Sequence, residues 1–560
     1  MSGTSGAAAR DRQADWATLR AVHSAAQSGQ HADAARLAEA ALADGLEHPL
    51  LLNVVALNHE QRGNLPEAER LLRRAVALAP DDQAVRNACG LCLLRLERPA
   101  EALAQFDALL ELNPSLPFAH ASRGAALLAS GAIAAAQTSY LRAVELDPAQ
   151  GVALAGLAHI DCRRGAYAQA RGWAEKALEV LPNFPDAVMS LASAELGQRE
   201  TGRAETRLRA LLTDAGLAPL DRAYANGLLG DVLDGQQRVD AAFAAYRECN
   251  EDLRRIYADR FAGSLTALQH ALWLSSYFER ARRTDWQAPA DSGKASGAAH
   301  GHVFVLGFPR SGTTLLEVVL EGHPRVVSLE EKESMIDAVR EFMGAPKDFE
   351  RLRRASPGAL EQLRENYWRR VAAAGVDVAG KVFVDKNPLN TLKLPLIARL
   401  FPGAKIVLAC RDPRDVVLSC FRHRFEMSAP MYELLSLEGA ARYYDAVMRF
   451  AVGCTSVLPL DVCLVRHEDL VTEFAREMKR ICAFLAIDWM PAMGDFALRT
   501  QSRAVLTPST AQLVRGLNTE GLGHWRRYQH CMAEVLPILA QWATRFCYEP
   551  ESGFKPYPAA

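Results

Sequence analysis

The sequence HVFVLGFPRSGTTL, residues 302–315, decides the fold of the second half of this chain. It opens with an apolar run typical of a buried strand that ends at Gly307, and it predicts a helix that begins at Gly312. The spacing Gly307-x-x-x-x-Gly312, followed by two threonines, is that of a phosphate-binding loop, whose N–H groups hold an anion. Thr313 stands where a nucleoside-triphosphate-binding loop carries a lysine, so hydrolysis of a nucleoside triphosphate is the weaker hypothesis.

The length and the charge of the chain limit the functional classes. Its 560 residues exceed the size at which single cores stop growing, about 250–300 residues, so we expect more than one domain. The formal net charge of −2 supplies no overall field for nucleic acid or anionic membranes. No apolar run reaches the ~18 residues of a membrane span, and the N-terminus lacks the apolar core of a signal peptide. We therefore expect a cytoplasmic, bacterial protein with no nucleic-acid or membrane partner.

The cysteines and histidines show no spacing typical of a disulfide framework or a metal site. The 11 cysteines are scattered along the chain, which fits buried thiols in a reducing compartment. Cys89 and Cys92 form a single CxxC, for which packing on a helix is favoured over a zinc or redox role. We expect no metal.

Residues 15–250 repeat with a period of 34 residues. Alanines recur at this interval at Ala34, Ala68, Ala102, Ala136, Ala170 and Ala204. Gly90 lies twelve residues before one of these alanines and Phe106 lies four residues after it. Small residues at fixed points let paired helices approach closely. The pattern resembles the tetratricopeptide repeat, which implies an all-α solenoid of about seven helix pairs with a concave surface for partners.

The character of the sequence changes after the repeats. Residues 251–286 keep a helical pattern, whereas residues 287–301 are small, polar and aperiodic, which is typical of a linker. From residue 302 onwards, the short apolar runs HVFVLG, KVFVD, AKIVLAC and DVCLVRHEDL alternate with longer helical stretches. We therefore predict repeats at 15–250, a helical extension and linker at 251–301, and a P-loop-like α/β domain with a parallel sheet at 302–548.

Polar residues follow two of the predicted strands. After the first, Arg310 offers a planar fork for a phosphate or a sulfate, and Ser311 and the threonines add hydroxyls. After AKIVLAC, Arg411 and Ser419 are eight residues apart, which places them on nearly the same helix face around one small anion. A structural salt bridge between Arg411 and a neighbouring aspartate accounts equally well for this second motif taken alone.

Taken together, GFPRSGTTLL, DKNP and RDPRDVVLS resemble the sulfotransferases that use 3′-phosphoadenosine 5′-phosphosulfate, PAPS. The resemblance extends over most of residues 302–530. It implies that the first loop holds the 5′-phosphosulfate and that the later arginine and serine hold the 3′-phosphate. The donor contacts it implies are Arg310, Ser311, Gly312, Thr313, Thr314, Arg411 and Ser419. PAPS has no γ-phosphate, which accounts for the missing lysine, and it is released as adenosine 3′,5′-bisphosphate.

Within these enzymes, the resemblance is closest to the tyrosylprotein sulfotransferases. It rests on PRSGTTLL with HPRVVSLEE, on VDKNP, and on STAQLVRGLNTEGLGHW at residues 509–525. It implies that Glu331 is the catalytic base and that Lys386 and Ser509 stabilise the transferring group. Two histidines depart from the family pattern, and we expect both near the donor: His467 replaces an aromatic residue, and His524 replaces a lysine.

The chemistry of these residues agrees with the implied roles. A hydroxyl acceptor needs a base within hydrogen-bonding reach, and a carboxylate is suited to that task. Glu330 and Glu331 are adjacent, so the residues leave open which of them points inward, although the resemblance favours Glu331. Lys386 could neutralise charge on the oxygen that leaves sulfur, or it could merely pair with Asp385.

We therefore expect a two-part enzyme. The repeats would bind a protein or peptide acceptor, and the α/β domain would move a sulfo group from PAPS to a hydroxyl, with protein tyrosine as the first candidate. A carbohydrate or small-molecule hydroxyl is an alternative acceptor. A P-loop kinase of small metabolites and a repeat scaffold with a degenerate nucleotide-binding domain are the other classes left open. The sequence does not predict the oligomeric state, and a dimer is one option.

Overall fold

The structure is a computed structural model, and it describes residues 12–286, 298–345, 347–497, 499, 513–514 and 516–548. Two compact units lie along the chain, one up to Ala194 and one from Glu195 onwards. The first unit is entirely helical where it is described, and the second combines helices with a parallel sheet. This confirms the predicted fold class, an N-terminal helical solenoid followed by an α/β domain.

The first unit is a succession of short helices, and each of the first nine helices packs against the one that follows it. The helices are α1 (Arg12–Gln27), α2 (His31–Ala43), α3 (Pro49–Gln61), α4 (Leu65–Leu78), α5 (Gln83–Arg95), α6 (Pro99–Leu112), α7 (Pro117–Ala129), α8 (Ile133–Leu146), α9 (Gly151–Arg164) and α10 (Tyr167–Val180), and α11 (Pro185–Gly197) runs on to the boundary between the units. One period of the sequence therefore corresponds to two helices.

The periodic residues of this unit are packing residues. The repeated alanines, such as Ala68 and Ala102, are fully buried. A Cβ atom added to Gly90 would lie 2.4 Å from the ring of Phe106, and one added to Gly124 would lie 2.6 Å from a ring atom of Tyr140. The glycine-to-aromatic spacing in the sequence is therefore the contact that lets the two helices of a pair approach closely.

The second unit begins with α12 (Thr201–Leu212), α13 (Pro219–Gly235), α14 (Val239–Phe261) and α15 (Ala267–Phe278). The later helices are α16 (Thr313–Leu320), α17 (Ile336–Phe342), α18 (Asp348–Arg353), α19 (Pro357–Ala373), α20 (Leu394–Leu400), α21 (Pro413–Arg422), α22 (Ala429–Glu433), α23 (Leu437–Val457), α24 (His467–Thr472), α25 (Phe474–Leu485) and α26 (Leu536–Arg545). Short 3₁₀ helices lie at Arg283–Trp286, Pro388–Lys393, Pro491–Asp495 and His524–Tyr528. Since α12–α14 share a compact unit with the sheet, the limits 15–250, 251–301 and 302–548 remain predictions.

The sheet of the second unit has five strands in the order β2-β3-β1-β4-β5, and all four neighbouring pairs are parallel. The strands are β1 (Gly301–Gly307), β2 (Val326–Glu330), β3 (Val382–Lys386), β4 (Lys405–Cys410) and β5 (Asp461–Arg466). The sequence did not predict β2. Only two of its five residues are buried, so this short edge strand gives a weak apolar signal.

Side chains of β1 alternate between the two faces of the sheet, as the pleat of a strand requires. Val303 and Val305 join a core that includes residues of α16 and α25. On the other face, the ring of Phe304 packs against Tyr367 of α19 and against Phe401. Burial on both faces accounts for the continuous apolar run in the sequence. In the part of the chain that is described, no helix has the length and apolar character needed to cross a bilayer.

Candidate functional site

The predicted site residues follow the carboxyl ends of neighbouring parallel strands. Gly307 ends β1 beside Ala409 of β4. Lys386 ends β3, with Val305 of β1 on one side and Glu330 of β2 on the other. Because parallel strands end at the same edge of a sheet, ligands of such folds bind there.

The loop between β1 and α16 needs both of its glycines because other groups approach them closely. A Cβ on Gly307 would lie 2.7 Å from the carbonyl oxygen of Ala409. The hydroxyl of Thr391 accepts from the N–H of Gly307 at 3.0 Å and donates to its carbonyl at 2.8 Å. Gly312 has a φ of 96°, and a Cβ there would lie 2.5 Å from Nδ1 of His467. The loop conformation is therefore fixed at both ends.

The hydroxyls of the loop are buried where α16 begins. Ser311, Thr313 and Thr314 are each less than a tenth exposed, and the N–H of Ser311 donates to the carbonyl of Phe308 at 3.1 Å. The first turn of a helix has N–H groups without partners inside the helix, and these can bind an anion. The predicted loop residues thus lie together at the start of α16.

Two arginines and a serine meet beside this loop. Arg310 has a φ of 70°, which is uncommon outside glycine, and its Nε donates to Oγ of Ser419 at 3.0 Å. The guanidinium of Arg411 donates to the carbonyls of Arg310 at 3.4 Å and of Gly521 at 2.6 Å. Burial, together with the charge of Arg411, lowers the pKa of Arg310 to about 10. Two partly buried charges of the same sign destabilise each other, and a bound anion would relieve this repulsion.

The two histidines lie in different surroundings. His467 begins α24 directly after β5, against Gly312, and burial next to Arg411 and Arg310 lowers its pKa to about 3. It therefore presents a neutral ring to the loop. His524 places Nε2 3.3 Å from Oδ1 of Asp234. His467 thus lies at the loop between β1 and α16, whereas His524 contacts Asp234 of α13.

Lys386 is fully buried and bound by three carboxylates. Its Nζ lies 2.8 Å from Glu331, 3.0 Å from Glu330 and 3.3 Å from Glu317. Burial disfavours the charged ammonium, but the three carboxylates outweigh this effect and raise the pKa of Lys386. The lysine is therefore charged at neutral pH and held at the end of β3.

Asp385 does not pair with Lys386, although the sequence analysis named it as a possible partner. It accepts hydrogen bonds from the hydroxyl of Tyr367 at 2.8 Å and from the amide of Asn390 at 3.2 Å. Adjacent residues of a strand point to opposite faces, which separates the two side chains. Burial raises the pKa of Asp385 to about 7, against the effect of the Tyr367 hydrogen bond.

Glu330 and Glu331 differ in exposure. The side chain of Glu330 is 9% exposed, whereas that of Glu331 is 49% exposed. Glu331 follows the last residue of β2 with a φ of 46°, and its N–H donates to the carbonyl of Lys386 at 2.8 Å. Glu331 therefore combines contact with Lys386 and access from the surface.

Glu317 is a site residue that the sequence analysis missed. It is fully buried in α16, and the hydroxyl of Ser328 donates to it at 2.8 Å. A signal existed, because Glu317 is the single charge in the apolar run TTLLEVVL. A lone charge on a buried helix needs a partner, and here the partner is Lys386.

Ser509 lies outside the described residues, as does the first part of the stretch STAQLVRGLNTEGLGHW. The last part of that stretch is bound to α21. The N–H groups of Gly523 and Trp525 donate to the carboxylate of Asp415 at 2.7 and 2.8 Å. Together with the bond from Arg411 to Gly521, these contacts place the turn at residues 521–525 beside the arginines.

Among the described residues, three side chains lie close enough together to hold a metal ion, a grouping that the sequence did not indicate. Asp240, His530 and Cys531 place ligand atoms within 4.8 Å of one another. Nε2 of His530 lies 2.6 Å from the carboxylate of Asp240, and both residues are exposed. An exposed hydrogen bond between His530 and Asp240 beside a thiol accounts for this grouping.

Comparison with known proteins agrees with this architecture. Residues 302–491 match the model of the sulfotransferase family. Residues 19–82, 56–117 and 189–249 match the model of the tetratricopeptide repeat. The chain thus has tetratricopeptide repeats in its N-terminal region and a sulfotransferase domain at its C-terminal end.

Among curated proteins, the chain is similar to protein-tyrosine sulfotransferase 1 of Danio rerio. The two are 26% identical over 272 residues, which are 45% of this chain and 73% of the relative. Protein-tyrosine sulfotransferase A of Caenorhabditis elegans is 25% identical over 40% of this chain and 60% of its own length. These similarities make the chain a homologue of protein-tyrosine sulfotransferases.

A protein of Aquifex aeolicus without an assigned activity is 25% identical over 415 residues. The matched region is 71% of this chain and 51% of the relative. The chain therefore spans about half of that relative. Among solved structures, a tetratricopeptide repeat protein of Parabacteroides merdae is 17% identical, with a TM-score of 0.34 over 43% of this chain and 93% of its own.

Proposed function

We propose that this chain transfers a sulfo group from PAPS to a hydroxyl, with the tyrosine of a protein or peptide as the first candidate acceptor. The observation that carries the proposal is the meeting of Arg310, Arg411 and Ser419 beside a phosphate-binding loop that has no lysine. A donor with two separate anionic groups and no γ-phosphate matches these positive charges.

In the proposed complex, each end of the donor has its own set of residues. The loop residues Ser311 to Thr314, with Arg310, would bind the 5′-phosphosulfate through N–H groups, hydroxyls and a guanidinium. Arg411 and Ser419 would bind the 3′-phosphate. His467 would pack its neutral ring near the donor, which its low pKa supports. No cofactor other than this co-substrate is proposed.

The proposed transfer uses the carboxylates at the end of β2. Glu331 would take the proton of the acceptor hydroxyl as its oxygen bonds to sulfur and the bond from sulfur to the phosphate oxygen breaks. Lys386 would stabilise the charge that develops on that oxygen, and adenosine 3′,5′-bisphosphate would leave. The exposure of Glu331 and its contact with Lys386 support this division of roles. Ser509 would assist Lys386, as its position in the resembling motif implies.

The acceptor is the finer part of the proposal. Relatives named as protein-tyrosine sulfotransferases support a tyrosine. Tetratricopeptide repeats commonly bind proteins, so the helices of the first unit would recruit the acceptor. A carbohydrate or small-molecule hydroxyl is the alternative acceptor for the same donor chemistry.

Calorimetric titration of the full-length protein with adenosine 3′,5′-bisphosphate and with ATP tests the donor class. We expect the bisphosphate to bind at least ten times more tightly than ATP, without added divalent cations. A preference for ATP that depends on magnesium would contradict the proposal and favour a kinase.

A further inference from the structure

Asp234, near the end of α13, lies at the centre of a polar cluster that joins a helix of the repeat pattern to the α/β domain. Its carboxylate lies 2.7 Å from Arg422, 2.7 Å from the hydroxyl of Tyr528 and 3.3 Å from Nε2 of His524. Arg527 approaches to 3.3 Å. All of these residues belong to the second unit. The sequence did not predict that any of these residues has a role that involves α13.

The cluster is mostly buried and strongly charged. The side chains of Asp234 and Arg422 are 12% and 21% exposed. Burial opposes ionisation of Asp234, but the hydrogen bond from His524, the charge of Arg422 and the bond from Tyr528 outweigh it and lower its pKa. Removing one member of a buried ion pair leaves the other charge uncompensated, so the cluster resists displacement of any single member.

Arg422 belongs to the same helix as a proposed donor ligand. It lies three residues after Ser419 on α21, so the two side chains emerge close together on that helix. Its guanidinium also lies over the rings of Tyr246 and Tyr528, at 5.2 and 5.8 Å. Asp234 therefore anchors the C-terminal end of α21, one turn from Ser419.

His524 lies in the turn at residues 521–525, which Arg411 contacts. Gly521 of this turn accepts from Arg411, and the N–H groups on both sides of His524 donate to Asp415. One carboxylate of α13 thus holds two segments that flank the proposed 3′-phosphate site, the end of α21 and the turn at residues 521–525.

We propose that Asp234 is a positioning residue for the nucleotide donor, acting through Arg422 and His524. This inference rests on the proposed function, and it assigns α13 and α14 to the support of the donor site, whereas recruitment belongs to the earlier repeats. Asp234 touches no reacting atom. Its effect is to hold Ser419 and Arg411 at the separation that one phosphate requires.

Asp231, one turn earlier on α13, offers a matched control. It lies 2.7 Å from Arg424 and 3.0 Å from the hydroxyl of Tyr246, so it too makes a partly buried ion pair with the α/β domain. Arg424 lies beyond the end of α21, and within the described part of the chain no hydrogen bond joins Asp231 to the turn at residues 521–525. Asp231 reaches Arg422 only through its charge and through Tyr246, so its loss should weaken the packing of α13 and disturb the donor site much less than the loss of Asp234.

The test compares the full-length variants Asp234→Asn and Asp231→Asn with the wild type. Thermal unfolding measures the packing of α13, and calorimetric titration with adenosine 3′,5′-bisphosphate measures the donor site. We expect both variants to unfold at lower temperature, and only Asp234→Asn to raise the Kd of the bisphosphate, by about tenfold. Tyr528→Phe removes a single hydrogen bond from Asp234, and a smaller rise in Kd is expected there if Asp234→Asn does not fold.

Three results would overturn the inference, and they are distinguishable. If the wild type binds the bisphosphate and the affinities of Asp234→Asn and Tyr528→Phe equal that of the wild type, Asp234 has only a structural role. The same conclusion follows if Asp231→Asn weakens binding as much as Asp234→Asn. If the wild type itself does not bind the bisphosphate, the proposed function fails and this inference fails with it.

Discussion

The ammonium of Lys386 lies 2.8 Å from a carboxylate oxygen of Glu331, at the carboxyl end of β3. Glu330 and Glu317 hold the same ammonium from inside the domain, whereas Glu331 is half exposed. One lysine thus meets two buried carboxylates and one accessible carboxylate. This arrangement makes the roles of the three glutamates separable by substitution.

Glu331→Gln should lower kcat by about 10²- to 10⁴-fold, because an amide cannot take the proton of the acceptor hydroxyl. Donor affinity should change little. Glu330→Gln is the matched control, since it removes a neighbouring carboxylate that also contacts Lys386, and it should retain most of the activity. Steady-state turnover of PAPS with a tyrosine peptide measures the activity of both variants. Equal activities of Glu331→Gln and the wild type would refute the assignment of the base.

Lys386→Met should destabilise the protein by about 3–5 kcal/mol, because it leaves buried carboxylates without their counter-charge. The double variant Lys386→Met with Glu317→Gln should recover part of this loss, since it removes one of the buried carboxylates. Urea unfolding measures the free energies. Turnover should stay low in both variants, because neither restores the cation. Full activity in the double variant would show that Lys386 only pairs with the glutamates.

Arg411→Lys should raise the Kd of adenosine 3′,5′-bisphosphate by about tenfold, because lysine keeps the charge but loses the planar fork that binds two oxygens. The control is Arg480→Lys on α25, where the arginine binds Glu477 at 2.9 Å. That variant should bind the bisphosphate like the wild type. Unchanged binding by Arg411→Lys would indicate that this arginine serves the fold and not the donor.

Asp385→Asn should make the stability of the protein less dependent on pH. The pKa of Asp385 is raised to about 7 in the folded state, above its ordinary unfolded value. Between these two pH values the folded form keeps a proton that the unfolded form has lost, so the free energy of unfolding falls as the pH rises from about 4 to 7. The loss from this group is at most about 4 kcal/mol, and it is complete above pH 7.

Thermal unfolding at pH 5 and pH 8 checks this prediction. The variant should gain stability relative to the wild type at pH 8 more than at pH 5, because an amide needs no proton. Asp377→Asn removes an exposed carboxylate ahead of the same strand and controls for the loss of surface charge. A larger gain at pH 5 than at pH 8 would show that burial does not hold the proton on Asp385.

The repeats and the parallel sheet could be predicted because their signals are local and periodic. The 34-residue step from Ala34 to Ala204 reflects a packing contact that recurs in each repeat. The apolar run before Gly307 indicates a strand buried on both faces. The edge strand β2 was not predicted, because a short, half-buried strand gives little apolar signal in the sequence.

The partners of the site residues were harder to predict. The neighbour in sequence, Asp385, suggested itself as the partner of Lys386, but adjacent residues of a strand face opposite ways. The partners of Lys386 are Glu317, Glu330 and Glu331. They meet it because α16, β2 and β3 lie together in the fold. Asp234 gave no signal at all, because its contact with Arg422 spans 188 positions of the chain and depends on how α13 packs.

The transfer itself is the central claim, and mass spectrometry of acceptors incubated with PAPS and the full-length protein tests it most directly. The panel should contain a tyrosine peptide, the same peptide with phenylalanine in place of tyrosine, and a carbohydrate. We predict that the tyrosine peptide gains one sulfo group while an equal amount of adenosine 3′,5′-bisphosphate appears, and that the phenylalanine peptide gains none. Transfer to the carbohydrate alone would change the acceptor. No sulfo group on any acceptor, with PAPS left intact, would contradict the account.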